Sequence, residues 1–373
     1  MKRLIKNIYF CIFITFFSAL VLGFFLSAYK LPLLAVPAPK TGTAPVVELF
    51  VDQCSAAFLP FLYQSDLSAP PDESQIIEHE QAPAPDNSDQ TPETPETDPP
   101  SQTESVTSIP EGALPIKMLT VRPASYMQGI QGVYVKNEAE KEFNLEQLLN
   151  NPVKLGLDRS SDDPQILIVH THATESFNEE GSDYYLPQTS YRSDDDSKNM
   201  VHIGDVMAQM LTQAGYRVLH TSTHHDVDFN KSYTSSYNEI SDYLEQYPSI
   251  KVVLDVHRDS IITDSGVKYR TVTEIDGQQS SQVMLLMGCG NDTYKHPEWE
   301  QNFTLAAHIQ KTAAEKYPDL MRPILLRAAR YNEHLSTGSL LVEVGTCGNT
   351  LQEAERGARY FTEVLIEVLN QAQ

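Results

Sequence analysis

The sequence predicts an α/β domain with a mostly parallel central sheet flanked by helices, preceded by a transmembrane helix and a disordered stalk. Short apolar stretches such as Gln165–Val169 alternate with amphipathic stretches such as Val201–Ala214 from about Leu114 onward. This alternation is typical of the strands and helices of α/β domains. A long uncharged run lies near the N-terminus, and an acidic, proline-rich stretch separates it from the globular part.

The uncharged run extends over 22 residues, from Ile8 to Tyr29, and about 20 apolar residues span a bilayer as a helix. Lys2, Arg3 and Lys6 precede it, so the positive-inside rule leaves the N-terminus cytoplasmic and the rest of the chain outside. A cleavable signal peptide is the competing interpretation. The run is longer than the usual apolar region of about 7–15 residues, and residues 30–32 make a poor cleavage site. A membrane anchor is therefore the favoured interpretation.

The stretch after the anchor changes character twice. Val46–Tyr63 is apolar but interrupted by charges and proline, which indicates an interfacial segment or a short helix. Between residues 66 and 111 there are twelve Asp and Glu and no Lys or Arg, so this stretch cannot bury enough apolar surface to fold. The predicted organisation is a cytoplasmic N-terminus at 1–7, a transmembrane helix at 8–29, a juxtamembrane segment at 30–64, a disordered linker at 65–113 and an extracytoplasmic folded domain at 114–373.

The elements of the domain are predicted in order from their apolar spacing. Strands are predicted at Gln165–Val169, Tyr216–His220, Lys251–Val256, Ile324–Ala328 and Ser339–Val344. Helices are predicted at Val201–Ala214, Tyr233–Gln246, Trp299–Lys316 and Leu351–Asn370. Val267–Ile275 and Gln282–Met287 are predicted as a β pair around the turn Asp276-Gly277.

Charge and cysteine content exclude two classes of function. The formal net charge of −23 argues against nucleic acid as a partner, because phosphate binding needs a surplus of Lys and Arg. The chain has no CxxC pair, which argues against a thiolate zinc site. A Cys289–Cys347 disulfide is open in an extracytoplasmic compartment, and spacing alone does not decide it.

Chemically suggestive residues follow three predicted strands. The first strand runs into His170-Thr171-His172-Ala173-Thr174-Glu175, in which His172 and Glu175 are close enough to share a metal ion. A later strand ends on His257, and another carries Glu343 within an apolar run. Strand ends of a parallel sheet meet at one edge, so two imidazoles and a carboxylate would leave the fourth position of a zinc ion to water.

Each residue also has an ordinary structural interpretation. An HxxE pair occurs by chance, His257 alone is typical of a hydrogen-bonded core histidine, and Glu343 alone could pair with Arg258 or Arg330. The convergence of all three on one edge favours the metal site. The polar loop that begins at His224 is read equally well as a substrate-binding rim or as a solvated loop.

Four ordered motifs resemble one known family. HTHATESF, VHIGDVMAQMLTQAGYRVLHTSTHHD, VVLDVHRDS and LLVEVGTCGN resemble the stage II sporulation protein P family, over roughly Leu114 to the C-terminus. That family is similar in fold to zinc N-acetylmuramoyl-L-alanine amidases and carboxypeptidase-like zinc hydrolases. The resemblance implies removal of stem peptides from peptidoglycan, with endopeptidase action on crosslinks, between the mother-cell and forespore membranes during engulfment. It implies stage II sporulation proteins D and M as partners.

The resemblance implies zinc ligands at His172 and His257 and a catalytic carboxylate at Glu343. The related amidases take a Glu ligand from the start of the helix after the first strand, where this chain has Asp196, Asn199 and His202. The middle ligand is therefore predicted as Glu175, with His170 as the alternative.

Metal-assisted amide hydrolysis is the predicted mechanism. Glu343 is the general base, and Arg258 helps zinc to stabilise the oxyanion. Asp259 or the backbone near Val169 orients a ligand imidazole. A non-catalytic peptidoglycan-binding scaffold and a zinc carboxypeptidase are the alternative functions.

Overall fold

The computed structural model describes residues 76–77, 109–189 and 191–372. Its strands are β1 (Ile76–Ile77), β2 (Leu114–Val121), β3 (Gln128–Ile130), β4 (Val133–Asn137), β5 (Ile166–Val169), β6 (Tyr184–Tyr185), β7 (Val218–His220), β8 (Val252–Asp259), β9 (Lys268–Ile275), β10 (Gln278–Ser281), β11 (Val283–Gly288), β12 (Ile324–Arg327) and β13 (Ser339–Thr346). Its helices are α1 (Leu145–Asn150), α2 (Met200–Gln213), α3 (Ser232–Gln246), α4 (Trp299–Lys316) and α5 (Leu351–Gln371), with short 3₁₀ turns at His225–Val227, Phe229–Lys231 and Glu333–Leu335.

Eight strands form the central sheet, in the order β3-β4-β12-β11-β13-β8-β5-β7. Of the seven pairings, five are parallel, and the β3–β4 and β11–β13 pairings are antiparallel. The α/β class is therefore confirmed, and the sheet is mostly parallel. Its centre, β13-β8-β5, consists of neighbouring parallel strands whose carboxyl ends lie at the same edge.

Both faces of the central sheet are covered by helices. In β5, Ile166 and Ile168 belong to the larger core with α2, whereas Leu167 and Val169 belong to a smaller core with Ile240 of α3. This division follows from the alternation of side chains along a strand. A sheet buried on both faces needs strands that are apolar throughout, and β5 is entirely buried.

A second sheet corrects the predicted β pair. The turn Asp276-Gly277 has positive φ at both positions, which suits a two-residue hairpin. It joins β9 to the polar strand β10, while β11 leaves this hairpin and pairs with β12 and β13 in the central sheet. The prediction was wrong because β11 is buried along its whole length, whereas the strand next to the turn has no apolar pattern.

The second sheet also includes segments that the sequence did not predict as strands. It has the order β1-β2-β9-β10, with β6 also paired to β2. The elements β2, β3, β4 and α1 all lie between residues 114 and 150. Their runs are short or weakly patterned, so periodicity alone did not indicate them.

The predicted transmembrane helix and nearly all of the predicted linker lie outside the described residues. In the part of the chain that the structure describes, none of the helices has both the length and the apolar character needed to cross a bilayer. Within the predicted linker, the backbone of Ile76–Ile77 pairs antiparallel with Thr120 and Val121 of β2.

Candidate active site

Three neighbouring parallel strands bring the predicted site residues to one edge of the central sheet. In the register of β13 and β8, Glu343 lies beside His257. In the register of β8 and β5, Asp255 lies beside Val169, so the chain enters the His170–Glu175 loop next to the end of β8. His172, Glu175 and His257 are all buried.

His172 has two buried ring nitrogens, and neither has a hydrogen-bond partner among the described residues. Its ring is packed by other rings, with centroid distances of 4.8 Å to Phe229, 5.4 Å to His257 and 5.7 Å to Tyr233. Burial lowers the pKa of His172 to about 4. The imidazole is therefore neutral near pH 7 and offers a lone pair, which is the form that binds a metal ion.

Glu175 is surrounded by positive and donating groups. Its Oε2 accepts a hydrogen bond from the backbone N–H of Arg258 at 3.2 Å and lies 3.6 Å from Nδ1 of His257. Its Oε1 is 3.6 Å from a guanidinium nitrogen of Arg192 and 3.7 Å from one of Arg258. Burial alone would raise the pKa of Glu175, but Arg258 and His257 outweigh it and hold the pKa below its ordinary value. Glu175 is therefore an anionic oxygen donor.

Asp255 supports His257. Its Oδ1 is 2.9 Å from Nε2 of His257, an ion-pair distance that lacks the angle of a hydrogen bond. Thr171 donates to Asp255 through its backbone N–H at 2.8 Å and its hydroxyl at 2.6 Å. Burial lowers the pKa of His257, but Asp255 and Glu175 outweigh it and raise the pKa well above its ordinary value. The negative charge around this imidazole suits a bound cation.

Sequence reasoning missed Asp255 in this supporting role. Asp259, one of the two predicted candidates, instead pairs with Arg322 at 2.7 Å and accepts from the backbone N–H of Ser260. The signal was present, because residues two apart on a strand share a face and Asp255 precedes His257 by two.

Glu343 combines a partly accessible side chain with a buried oxygen. The residue is half-buried, yet its Oε2 is buried and has no hydrogen-bond partner among the described residues. Burial and the nearby carboxylate of Asp259 raise the pKa of Glu343 to about 8, although His257 opposes this shift. A carboxylate tuned towards neutral pH is suited to exchanging a proton with a reacting group.

Arg258, predicted to assist the oxyanion, is engaged elsewhere. Its guanidinium donates to the backbone carbonyls of Ser176 at 3.1 Å, Tyr191 at 3.0 Å and Asp259 at 3.3 Å. Together with the contacts to Glu175, these bonds fasten the His170–Glu175 loop to the end of β8. The oxyanion role stays a prediction, and the observed contacts show that Arg258 holds this loop in place.

His170, the alternative middle ligand, has both nitrogens occupied. Its Nδ1 lies 2.9 Å from the carbonyl oxygen of Val256, and its Nε2 lies 2.9 Å from Nε2 of His220. His220 in turn contacts Asp205 at 3.0 Å. Gly204 lies against this histidine pair, and a side chain there would collide with both rings. Burial and His220 lower the pKa of His170 to about 3.

The donors are of the types that zinc binds, and two distances around His257 are compatible with a shared metal ion. Tetrahedral zinc at about 2.0–2.1 Å from its ligands separates two ligand atoms by about 3.4 Å and two imidazole centroids by about 5 Å. Nδ1 of His257 and Oε2 of Glu175 are 3.6 Å apart, and the rings of His172 and His257 are 5.4 Å apart. Across the described ranges, however, no group of three or more His, Cys, Asp or Glu side chains is placed so that it could hold a metal ion.

Two other sequence interpretations are resolved. Cys289 and Cys347 are both buried free thiols, so the disulfide left open by the sequence is not formed. The loop that begins at His224 contacts the site, although its residues 227–231 are exposed. Phe229 stacks on His172, and Asp226 accepts hydrogen bonds from Thr174 and Arg192.

Comparisons with known proteins agree with the sequence resemblance. Residues 58–366 match the family model described as stage II sporulation protein P. This chain belongs to the stage II sporulation protein P family. The stage II sporulation protein P of Bacillus subtilis (strain 168) is 27% identical over 257 residues. That match covers 62% of this chain and 59% of the relative, so it spans less than two thirds of the relative's length.

The solved structures to which this chain is similar include several N-acetylmuramoyl-L-alanine amidases. AmiC2 of Nostoc punctiforme is 14% identical with a TM-score of 0.33, covering 58% of this chain and 99% of that chain. The amidase of Clostridium difficile 630 is 12% identical with a TM-score of 0.32, covering 57% and 100%. The catalytic domain of CwlV from Bacillus (Paenibacillus) polymyxa var. colistinus is 11% identical with a TM-score of 0.34, covering 56% and 99%. Similarity at this level assigns no role to any residue of this chain.

Proposed function

We propose that this protein is a zinc-dependent peptidoglycan hydrolase that acts in sporulation as an N-acetylmuramoyl-L-alanine amidase. The observation that carries the proposal is that both buried nitrogens of His172 lack a hydrogen-bond partner among the described residues. They lie beside Glu175 and His257, and Glu343 is on the adjacent strand. Leaving such an atom unsatisfied costs about 1–3 kcal/mol, and a bound metal ion would offset this cost for the nitrogen that it binds. Membership in the family supports the role in sporulation.

The metal ligands in this proposal are His172, Glu175 and His257. The distances around His257 support Glu175 as the middle ligand, and the engaged nitrogens of His170 argue against the alternative. A zinc ion bound here would supply Lewis acidity that polarises the scissile carbonyl and acidifies water.

Glu343 moves the proton in the proposed reaction. Its Oε2 would take a proton from the attacking water and return it to the amine nitrogen as the amide bond breaks. The high pKa of Glu343 favours holding that proton between the two transfers. Asp255 holds the imidazole of His257, and Arg258 holds the loop that carries Glu175.

The finer features of the proposal come from the resemblance and from the predicted anchor. The protein would act outside the membrane that anchors it, in the space between mother cell and forespore. It would remove stem peptides, with endopeptidase action on crosslinks as a second activity. Stage II sporulation proteins D and M are the proposed partners.

Metal content and ligand variants test the proposal. The purified full-length protein should hold about one zinc per chain, and His172→Gln, Glu175→Gln and His257→Gln should each lose it. Glu343→Gln should keep zinc but release no stem peptides from purified sacculi, while Glu274→Gln, at an exposed position of β9, should behave as wild type. A wild-type protein without zinc would favour the scaffold function, and hydrolysis by Glu343→Gln at the wild-type rate would refute the role of this carboxylate.

A further inference from the structure

His172 departs from the usual support of a metal-binding histidine. Such a residue normally donates its second ring nitrogen to a carboxylate, a carbonyl or water, and this contact fixes the plane of the ring. His257 comes close to this pattern, because its Nε2 lies 2.9 Å from a carboxylate oxygen of Asp255, although without the angle of a hydrogen bond. For His172, neither nitrogen has a hydrogen-bond partner among the described residues. Something else must therefore hold the plane of this ring.

Aromatic packing surrounds the His172 ring. Phe229 lies parallel to it, with a centroid distance of 4.8 Å and an interplanar angle of 11°. Tyr233 and His257 stand nearly perpendicular to it, at 89° and 85°. Of the three rings, only Phe229 covers a face of the imidazole in parallel, so Phe229 constrains the tilt of the ring most directly.

The segment that carries Phe229 is fastened to the same loop as His172. We call the two 3₁₀ turns, His225–Val227 and Phe229–Lys231, with Asp228 between them, the cover segment. The Asp226 side chain is fully buried and forms an ion pair with Arg192 at 2.7 Å. Its Oδ2 also accepts a hydrogen bond from the hydroxyl of Thr174 at 2.5 Å. The cover segment and the His170–Glu175 loop are therefore held together next to the stacked pair.

A second anchor ties the cover segment to α3. Nε2 of the buried His225 lies 2.8 Å from Oε2 of Glu239, and its Nδ1 lies 2.9 Å from the hydroxyl of Ser235. Phe229 nevertheless stays 46% exposed. Burial alone therefore does not account for its place, and its ring is contacted by the His172 ring and by the guanidinium of Arg192, which lies 5.1 Å from the ring centroid.

We propose that Phe229 is a positioning residue that sets the plane of the His172 imidazole for metal binding, in place of a hydrogen bond to the second nitrogen. The inference rests on the proposed zinc site. It requires a flat ring at position 229, because an aliphatic side chain fills space without fixing a plane. It also requires the cover segment to be in place before the metal ion arrives, since its anchors are protein contacts.

Zinc affinity of position-229 variants tests the proposal in the full-length protein, by competition with a chromogenic chelator. Phe229→Leu and Phe229→Ala should each bind zinc about three- to tenfold more weakly, the range expected for the loss of an aromatic pair. Phe229→Tyr should stay within twofold of wild type. The matched control is Tyr237→Ala, which removes a ring stacked at 5.9 Å and 13° on His334, a histidine that is not a proposed ligand. It should leave zinc affinity unchanged.

A second measurement detects the stack without metal. Protons of His172 that lie over the Phe229 ring should resonate upfield in the metal-free protein labelled at histidine, and should move downfield in Phe229→Leu. The His172→Gln variant assigns the signals. Wild-type zinc affinity in Phe229→Leu, or unshifted His172 protons in the wild type, would overturn the positioning role while leaving the zinc site intact. Absence of zinc binding in both wild type and Tyr237→Ala would instead overturn the proposed function, and this inference with it.

Discussion

Replacing Glu343 by glutamine should stabilise the metal-free protein, although it removes the proposed general base. Burial and Asp259 raise the pKa of Glu343 from 4.5 to about 8. The folded state therefore binds this proton more tightly than the unfolded state. For a raised carboxyl pKa, stability is lost as the pH rises from the unfolded value through the folded one. Glutamine has no proton to lose and avoids this penalty.

The size of the effect follows from the two pKa values. One pKa unit corresponds to about 1.4 kcal/mol. Ionisation of Glu343 therefore lowers the free energy of unfolding by less than about 1 kcal/mol at pH 5. This loss grows to about 3 kcal/mol at pH 7 and to somewhat under about 5 kcal/mol at pH 9. Glu343→Gln should exceed wild type in free energy of unfolding by these amounts. Bound zinc should narrow the gap, because a nearby cation favours the carboxylate.

Urea unfolding of the chelator-treated protein at pH 5, 7 and 9 measures this difference by linear extrapolation. Glu274→Gln removes an exposed carboxylate from β9 and serves as the control that should change little at any pH. A gain in Glu343→Gln that is the same at all three pH values would refute the reasoning. A loss of stability at pH 9 would refute it more strongly, because it would mean that the buried carboxylate has a partner.

Acid should destabilise the metal-free protein through His172, whose pKa of about 4 lies below the ordinary 6.5. The free energy of unfolding should fall by up to about 3 kcal/mol as the pH drops from 6.5 to 4. In the His172→Gln variant, the urea midpoint should change less over this pH range. Asp255→Asn should weaken zinc binding about ten- to hundredfold in chelator competition, because the neutral amide no longer attracts His257. An unchanged zinc affinity would show that Asp255 does not support the metal ligands. Arg258→Lys should lower the free energy of unfolding by about 2–3 kcal/mol, since lysine cannot reach three carbonyls at once. A change within about 0.5 kcal/mol would show that the hydrogen bonds of Arg258 contribute little to stability.

The sequence indicated the site residues that follow from strand order. His172, His257 and Glu343 stand at or near the ends of apolar runs, and parallel strands bring such ends together whatever the loops do. The same logic led to the α/β class and to most helices of the domain. Asp255 was within reach of this reasoning, because side-chain alternation places it on the same face as His257.

What the sequence could not indicate depends on contacts between distant segments. Phe229 acts on His172 only because the cover segment is anchored through Asp226 and His225, and no periodicity records those anchors. The polar strand β10 owes its pairing to the hairpin turn rather than to its own residues. Likewise, the bonds of His170 to Val256 and His220 exclude it as a free ligand only once the fold is known.

In the proposed function, the site of His172, Glu175 and His257 cleaves the bond between muramic acid and the stem peptide. Mass spectrometry of the products from purified sacculi, digested by the full-length protein with and without added zinc, tests this claim most directly. We expect zinc-dependent release of stem peptides with a free L-alanine amino terminus, together with peptide-free glycan. Products cut only within crosslinks or only at peptide carboxyl ends, or release that persists without metal, would contradict it.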